Sequence, residues 1–144
     1  EEGGMGMRKV ILMSHGNLAE GILQSLEMIA GKQPQMLAIS AYLTPEENLE
    51  ESIQTLLETT PADDELIIVT DLFGGSVNNC CMLHLGDPRV HILSGMNLSM
   101  LAELAAYPDT EDISTVLQNA CDAGRNGIRY YDSLNEAEAA EENF

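Results

Sequence analysis

The sequence predicts an α/β protein: an open, doubly wound sheet of parallel strands with helices on both faces. Three observations carry this. Short apolar runs alternate with stretches whose apolar residues recur at helical spacing, in the order β-α-β-α-β-α-β-α-α-β. The runs Val10-Ile11-Leu12-Met13 and Leu66-Ile67-Ile68-Val69 are apolar at every position, as strands covered on both faces must be. Three strand-like runs end in polar residues: Ser14-His15-Gly16, Asp71 with its loop, and Ser94-Gly95-Met96-Asn97. Open parallel sheets gather ligands and reacting groups at the carboxyl ends of their strands.

Each element has its own justification. The first strand covers about Lys9–Ser14. Leu18, Ile22, Leu23, Leu26 and Ile29 then mark a helix that Gly31 ends and Pro34 keeps from continuing. Met36–Ile39 is a short second strand. Thr44-Pro45-Glu46-Glu47 reads as a helix start, with Thr44 as N-cap and Pro45 at the first helical position; Leu49, Ile53, Leu56 and Leu57 form its buried stripe. Leu66–Thr70 is the third strand, and a helix to about Leu85 follows, closed by Gly86 and Pro88. Val90–Leu93 is the fourth strand, followed by a helix carrying Met100, Leu101 and Leu104. Thr110–Ile113 opens a last helix, which Gly124 and Gly127 break. Ile128–Tyr131 reads as a short fifth strand, and the tail from Asn135 is Ala/Glu-rich.

Composition limits the function. The 144 residues suit one domain with a core that needs no staples. With 6 Lys+Arg against 24 Asp+Glu, the net charge of −18 argues against nucleic acid and anionic membranes. It favours encounter with a less acidic protein through long-range attraction. Cys80, Cys81 and Cys121 are an odd set without a CxxC pair, which argues for a reducing compartment. No apolar run reaches the length of a membrane span, and no signal peptide is visible, so a cytoplasmic location is expected. Residues 1–6 read as an added or disordered start, 7–134 as the domain and 135–144 as an acidic tail.

The candidate site comes from the strand ends. A histidine titrates near neutral pH and can act as nucleophile or acid/base. If the first and third strands are neighbours, the topological switch point lies between them, and His15 and Asp71 face each other across it. A carboxylate on one imidazole nitrogen fixes the tautomer and frees the other nitrogen's lone pair. Gly74-Gly75-Ser76 ahead of a helix offers backbone N–H groups and a hydroxyl suited to a phosphate oxygen. Taken singly, these features are also those of a tight turn and a helix cap. No G-x-S-x-G elbow, P-loop or dinucleotide fingerprint is present. His84 and His91 read as structural, and no spacing fits a zinc set. No cofactor or metal is expected.

Val10–Gly16, Ala19-Glu20-Gly21, Asp71–Ser76 (DLFGGS) and Ser94–Leu101 (SGMNLSML) together resemble the IIA component of the mannose family of the phosphoenolpyruvate-dependent sugar phosphotransferase system. The likeness runs from about residue 8 to 132. It implies strand order 2-1-3-4, with an antiparallel edge strand exchanged in a homodimer. It implies that His15 takes a phosphoryl group from the carrier HPr and hands it to a IIB component, with indirect links to membrane IIC and IID components. Asp71 would orient His15, and Ser14, Gly74, Gly75 and Ser76 would form the site loop. Where the family usually has Pro-Phe-Asn after Gly-Gly-Ser, this chain has Val77-Asn78-Asn79, and the lost aromatic at Asn78 is expected to alter a partner-facing surface. Two other functions fit the resemblance. One is a regulatory module of the same fold; the other is the carrier subunit of a dihydroxyacetone kinase, a family that shares the histidine but lacks the DLFGGS piece.

Overall fold

The computed structural model describes residues 6–107 and 111–135. The described elements are β1 (Arg8–His15), α1 (Leu18–Ala30), β2 (Met36–Ala41), α2 (Leu49–Thr59), β3 (Glu65–Thr70), α3 (Ser76–Met82), β4 (Val90–Ser94), α4 (Leu98–Ala106) and α5 (Ile113–Asn126). The four strands form one parallel sheet of order β2-β1-β3-β4. The chain steps outward from β1 to β2, then returns past β1 to β3. That reversal makes the cleft between β1 and β3 the switch point.

Alternation along the strands builds two cores. Val10 and Leu12 of β1 and Ile67 and Val69 of β3 pack with Leu26 of α1, Met100 and Leu101 of α4 and Ala120 of α5. Ile11, Met13, Leu66 and Ile68 face the other side, against Ile53 of α2 and Val77 and Cys81 of α3. The uninterrupted apolar runs are explained by this double burial: every side chain of β1 from Val10 to Met13 is covered. Truncating one such residue, as in Leu12→Ala, costs about 2–5 kcal/mol.

Several elements begin or end elsewhere than the sequence suggests. Thr44 does not cap α2. Its carbonyl accepts the Glu47 N–H, while Glu47 Oε1 accepts the Leu43 N–H at 2.6 Å, so residues 44–47 form a separate turn. Asn48 caps α2 instead, accepting the Glu51 N–H. Asp112 caps α5, accepting the Thr115 N–H. The third helix stops at Met82 and continues only as turns to Asp87. Gly124 does not break α5: it lies inside the helix, where a Cβ would come within 3.3 Å of Met100 Cβ. It marks the close approach of α5 to α4; Asn97, the cap of α4, also donates Nδ2–H to the Gly124 carbonyl at 3.1 Å.

Among the described residues, the expected fifth strand is not formed: residues 128–131 pair with no described strand, and Ile128 and Tyr130 are 74% and 83% exposed. Among the described residues, β2 and β4 are therefore the open edges of the sheet. Residues 1–5 of the expected start at 1–6, Thr110 at the expected opening of the last helix, and residues 136–144 of the expected tail at 135–144 lie outside the described residues. Among the described residues, no helix is long and apolar enough to cross a membrane.

Candidate functional site

His15 is the last residue of β1, and Asp71 follows the last residue of the neighbouring β3, where Met13 pairs with Thr70. The parallel register thus carries both side chains past the sheet on the same edge. Asp71 Oδ2 accepts two bonds from His15: the backbone N–H at 2.9 Å and ring Nδ1 at 2.8 Å. On the other side of the ring, Nε2 lies 3.1 Å from Oγ of Ser76, the first residue of α3. One tautomer satisfies both ring bonds: Nδ1–H donates to Asp71, and the Nε2 lone pair accepts the Ser76 O–H. The imidazole side chain is 44% exposed and the carboxylate 11%. The imidazole is reachable while the carboxylate that anchors it is sheltered.

Burial pushes the Asp71 carboxyl up, but the His15 backbone N–H, ring hydrogen bond and charge together hold it below the ordinary carboxylate value. Its second oxygen, Oδ1, is buried without a hydrogen-bond partner among the described residues. The carboxylate is therefore committed to the histidine through a single oxygen.

The glycines shape the loop. Gly74 has φ +80°, a left-handed conformation that suits a residue without Cβ. The Gly75 N–H closes a turn onto the Leu72 carbonyl at 3.0 Å, so that donor is not free for a ligand. A Cβ on Gly75 would lie 3.2 Å from the Leu72 carbonyl oxygen and 3.5 Å from His15 Cε1. The tight contact is with the Leu72 carbonyl, so glycine here serves the turn, and the imidazole lies at ordinary contact distance.

Ser14 takes a different part from the one expected of a site-loop residue. Its side chain is buried; Oγ accepts the Ala19 N–H at 2.7 Å and donates to the Gly16 carbonyl. It ties the turn from β1 into α1 and so sets where His15 leaves the sheet. Asn78 also departs from expectation. It is buried rather than partner-facing, and its Oδ1 accepts from Thr70 Oγ1 at 2.8 Å and from Ser94 Oγ at 2.5 Å. This polar cluster ties the first turn of α3, which carries Ser76, to the ends of β3 and β4. It occupies the place where the family usually has an aromatic, and three polar side chains satisfy one another there.

Sequence reasoning missed Tyr42. Its ring centroid lies 5.4 Å from that of His15, tilted by 47°. The only signal was an aromatic residue just beyond the second strand, and its relevance depends on a register that pairs Ala41 with His15. His84 and His91 lie elsewhere, paired with Glu50 at 3.0 Å and Glu65 at 2.9 Å. Among the described residues, no group of three or more His, Cys, Asp or Glu side chains is arranged to hold a metal.

Fold and geometry together define a class: a doubly wound α/β domain with an oriented, reachable imidazole at its switch point. The family model described as the phosphotransferase system fructose IIA component matches residues 9–121. The chain belongs to this family, the mannose/fructose-type IIA components of the sugar phosphotransferase system. It is 30% identical to the sorbose-specific EIIA component of Lacticaseibacillus casei, over 77% of this chain and 81% of that one. Its fold is similar to a solved Klebsiella pneumoniae phosphotransferase-system permease, with TM-score 0.83 and 37% identity over 90% and 94% of the two chains. It is also similar to the mannose/sorbose-specific IIA subunit of Enterococcus faecalis, with TM-score 0.74 and 28% identity over 88% and 96%. Membership makes this chain a component of a sugar phosphotransferase system and gives it a phosphoryl-carrier role in sugar transport.

Proposed function

We propose that His15 is the residue that carries the phosphoryl group, that HPr supplies it and that a cognate IIB component receives it. The observation that carries this reading is the pair of bonds on the His15 ring, with Asp71 on Nδ1 and Ser76 on Nε2. With Nδ1–H held by Asp71, Nε2 is the free nucleophile. Its lone pair attacks phosphorus; the nitrogen–phosphorus bond of the phosphohistidine donor breaks, and its electron pair stays on the donor ring. No proton needs to leave His15. The product is a phosphoryl-imidazolium whose positive charge Asp71 opposes through the Nδ1–H bond. The Ser76 hydroxyl gives up Nε2 and turns to donate to a phosphoryl oxygen. Transfer to the IIB acceptor reverses these steps.

The phosphoryl group adds about −1.5 to −2 charges beside a carboxylate in a protein of net charge −18. That repulsion keeps the phosphorylated form high in energy and ready to pass its group on. The exposed segment Ile128–Tyr131 and the open edge of β4 support a homodimer in which that segment covers an edge. The test is incubation with HPr, its kinase component and phosphoenolpyruvate. A mass gain of one acid-labile phosphate, discharged on adding IIB, is the expected result. No gain, or a gain that IIB cannot discharge, contradicts the reading.

A further inference from the structure

Among the described residues, Tyr42 is the one non-glycine residue with a left-handed backbone, at φ +64°. An L-residue with a Cβ is strained there, and such strain persists only where the surrounding structure imposes it. Tyr42 directly follows β2, whose last residue, Ala41, pairs with His15 and accepts the Gly16 N–H at 2.9 Å. The strained turn therefore sits beside the end of β1. Its side chain is laid against the His15 ring, with centroids 5.4 Å apart. Asp71 and Ser76 hold the two ring nitrogens, but among the described contacts only Tyr42 is an aromatic ring against the imidazole.

We propose that Tyr42 is a positioning residue: its strained turn presses the phenol ring against His15 and confines the imidazole so that Nε2 stays aimed outward. This inference rests on His15 being the phosphoryl carrier. Hydrogen bonds to Asp71 and Ser76 hold the ring at its two nitrogens, in its own plane, and do not cover its faces. A flat side chain against the ring limits its motion at little entropic cost, since tyrosine has two side-chain torsions. Effective transfer needs the reacting atoms held close and aligned, so a loosened ring slows the chemical step without weakening partner binding.

Glycine tolerates the left-handed conformation, which makes Tyr42→Gly diagnostic. The variant should fold and melt close to the wild-type temperature, because relief of backbone strain offsets the entropy that glycine adds to the unfolded chain. In protein with 13C-labelled histidine, its His15 ring signals should move while those of His84 and His91 stay. Single-turnover transfer at saturating donor should slow about tenfold, with KM within twofold; that loss corresponds to about 1.36 kcal/mol. Tyr42→Phe should restore both the signals and the rate. A lower melting temperature with unmoved His15 signals makes Tyr42 merely structural. A raised KM with an unchanged maximal rate makes it a partner contact. Either result overturns the proposal. If the wild-type protein accepts no phosphate, the carrier reading falls on its own, and the positioning claim is still decided by the His15 signals and the melting temperatures.

Discussion

Replacing Asp71 by asparagine tests how much the carboxylate contributes to transfer. The amide keeps the shape, and its oxygen still accepts from the His15 N–H and from Nδ1–H, now at 2.9 Å and 2.8 Å. What is lost is the charge. A hydrogen bond to a charged group is worth about 1.5–3 kcal/mol, against about 0.5–1.5 kcal/mol for a neutral one. If His15 carries the phosphoryl group as proposed, the bond to Nδ1 matters more as the imidazole gains positive charge on the way to the phosphorylated state. A difference of about 1–2 kcal/mol there slows transfer about 5–30-fold. The fold should persist, because Asp71 lies beyond β3 and outside both cores. The new amide NH2 takes the place of Oδ1, which is buried without a partner among the described residues, so a modest loss of stability is expected. Acid adds a second arm. The folded Asp71 pKa lies below its unfolded value, so its stabilising contribution is complete above the ordinary carboxylate range and disappears as pH falls through the folded value. Asp71→Asn should abolish that part of the acid-induced loss of stability. The assay is rapid-quench transfer from labelled phospho-HPr at neutral pH, with circular dichroism confirming the fold. A folded variant transferring within twofold of wild type refutes the role given to Asp71.

Two further outcomes are expected. Burial, with the Glu50 carboxylate 3.3 Å away, pushes the Cys80 thiol up to about 11. At pH 8 it should alkylate about 20-fold more slowly than a free cysteine, and Glu50→Gln should speed it; labelling mapped by mass spectrometry contradicts this if Cys80 reacts as a free thiol does. Light scattering at micromolar protein should report a dimer, and deletion from Ile128 onward should give monomer; a monomer without the deletion contradicts the edge-covering role of that segment.

Much of the architecture was legible because two-sided burial writes continuous apolar runs. Val10–Met13 and Leu66–Val69 could sit only in central strands, and polar residues after them marked the edge where a site forms. His15 and Asp71 follow from that edge once β1 and β3 are neighbours. Local cap chemistry was less legible because capping residues compete. Thr44-Pro45-Glu46-Glu47 has the composition of a helix start, yet Glu47 bonds back to Leu43, and Asn48 takes the cap one turn later. Gly124 read as a breaker because its reason lies in another helix, at Met100. Asn78 read as surface because the hydroxyls that satisfy it come from Thr70 and Ser94 on two strands. Tyr42 depends on register and on a backbone angle that composition does not encode.

The central claim is that one histidine of three carries the phosphoryl group. Only His15 stands at a strand end with a carboxylate on one ring nitrogen and a hydroxyl on the other; His84 and His91 are hydrogen-bonded to Glu50 and Glu65 elsewhere. The direct measurement is intact mass after incubation with HPr, its kinase and phosphoenolpyruvate, made on wild type and on His15→Ala, His84→Ala and His91→Ala. The account predicts one acid-labile phosphate on wild type and on the His84 and His91 variants, and none on a folded His15→Ala. Phosphohistidine formed on His15→Ala by the same donor contradicts it.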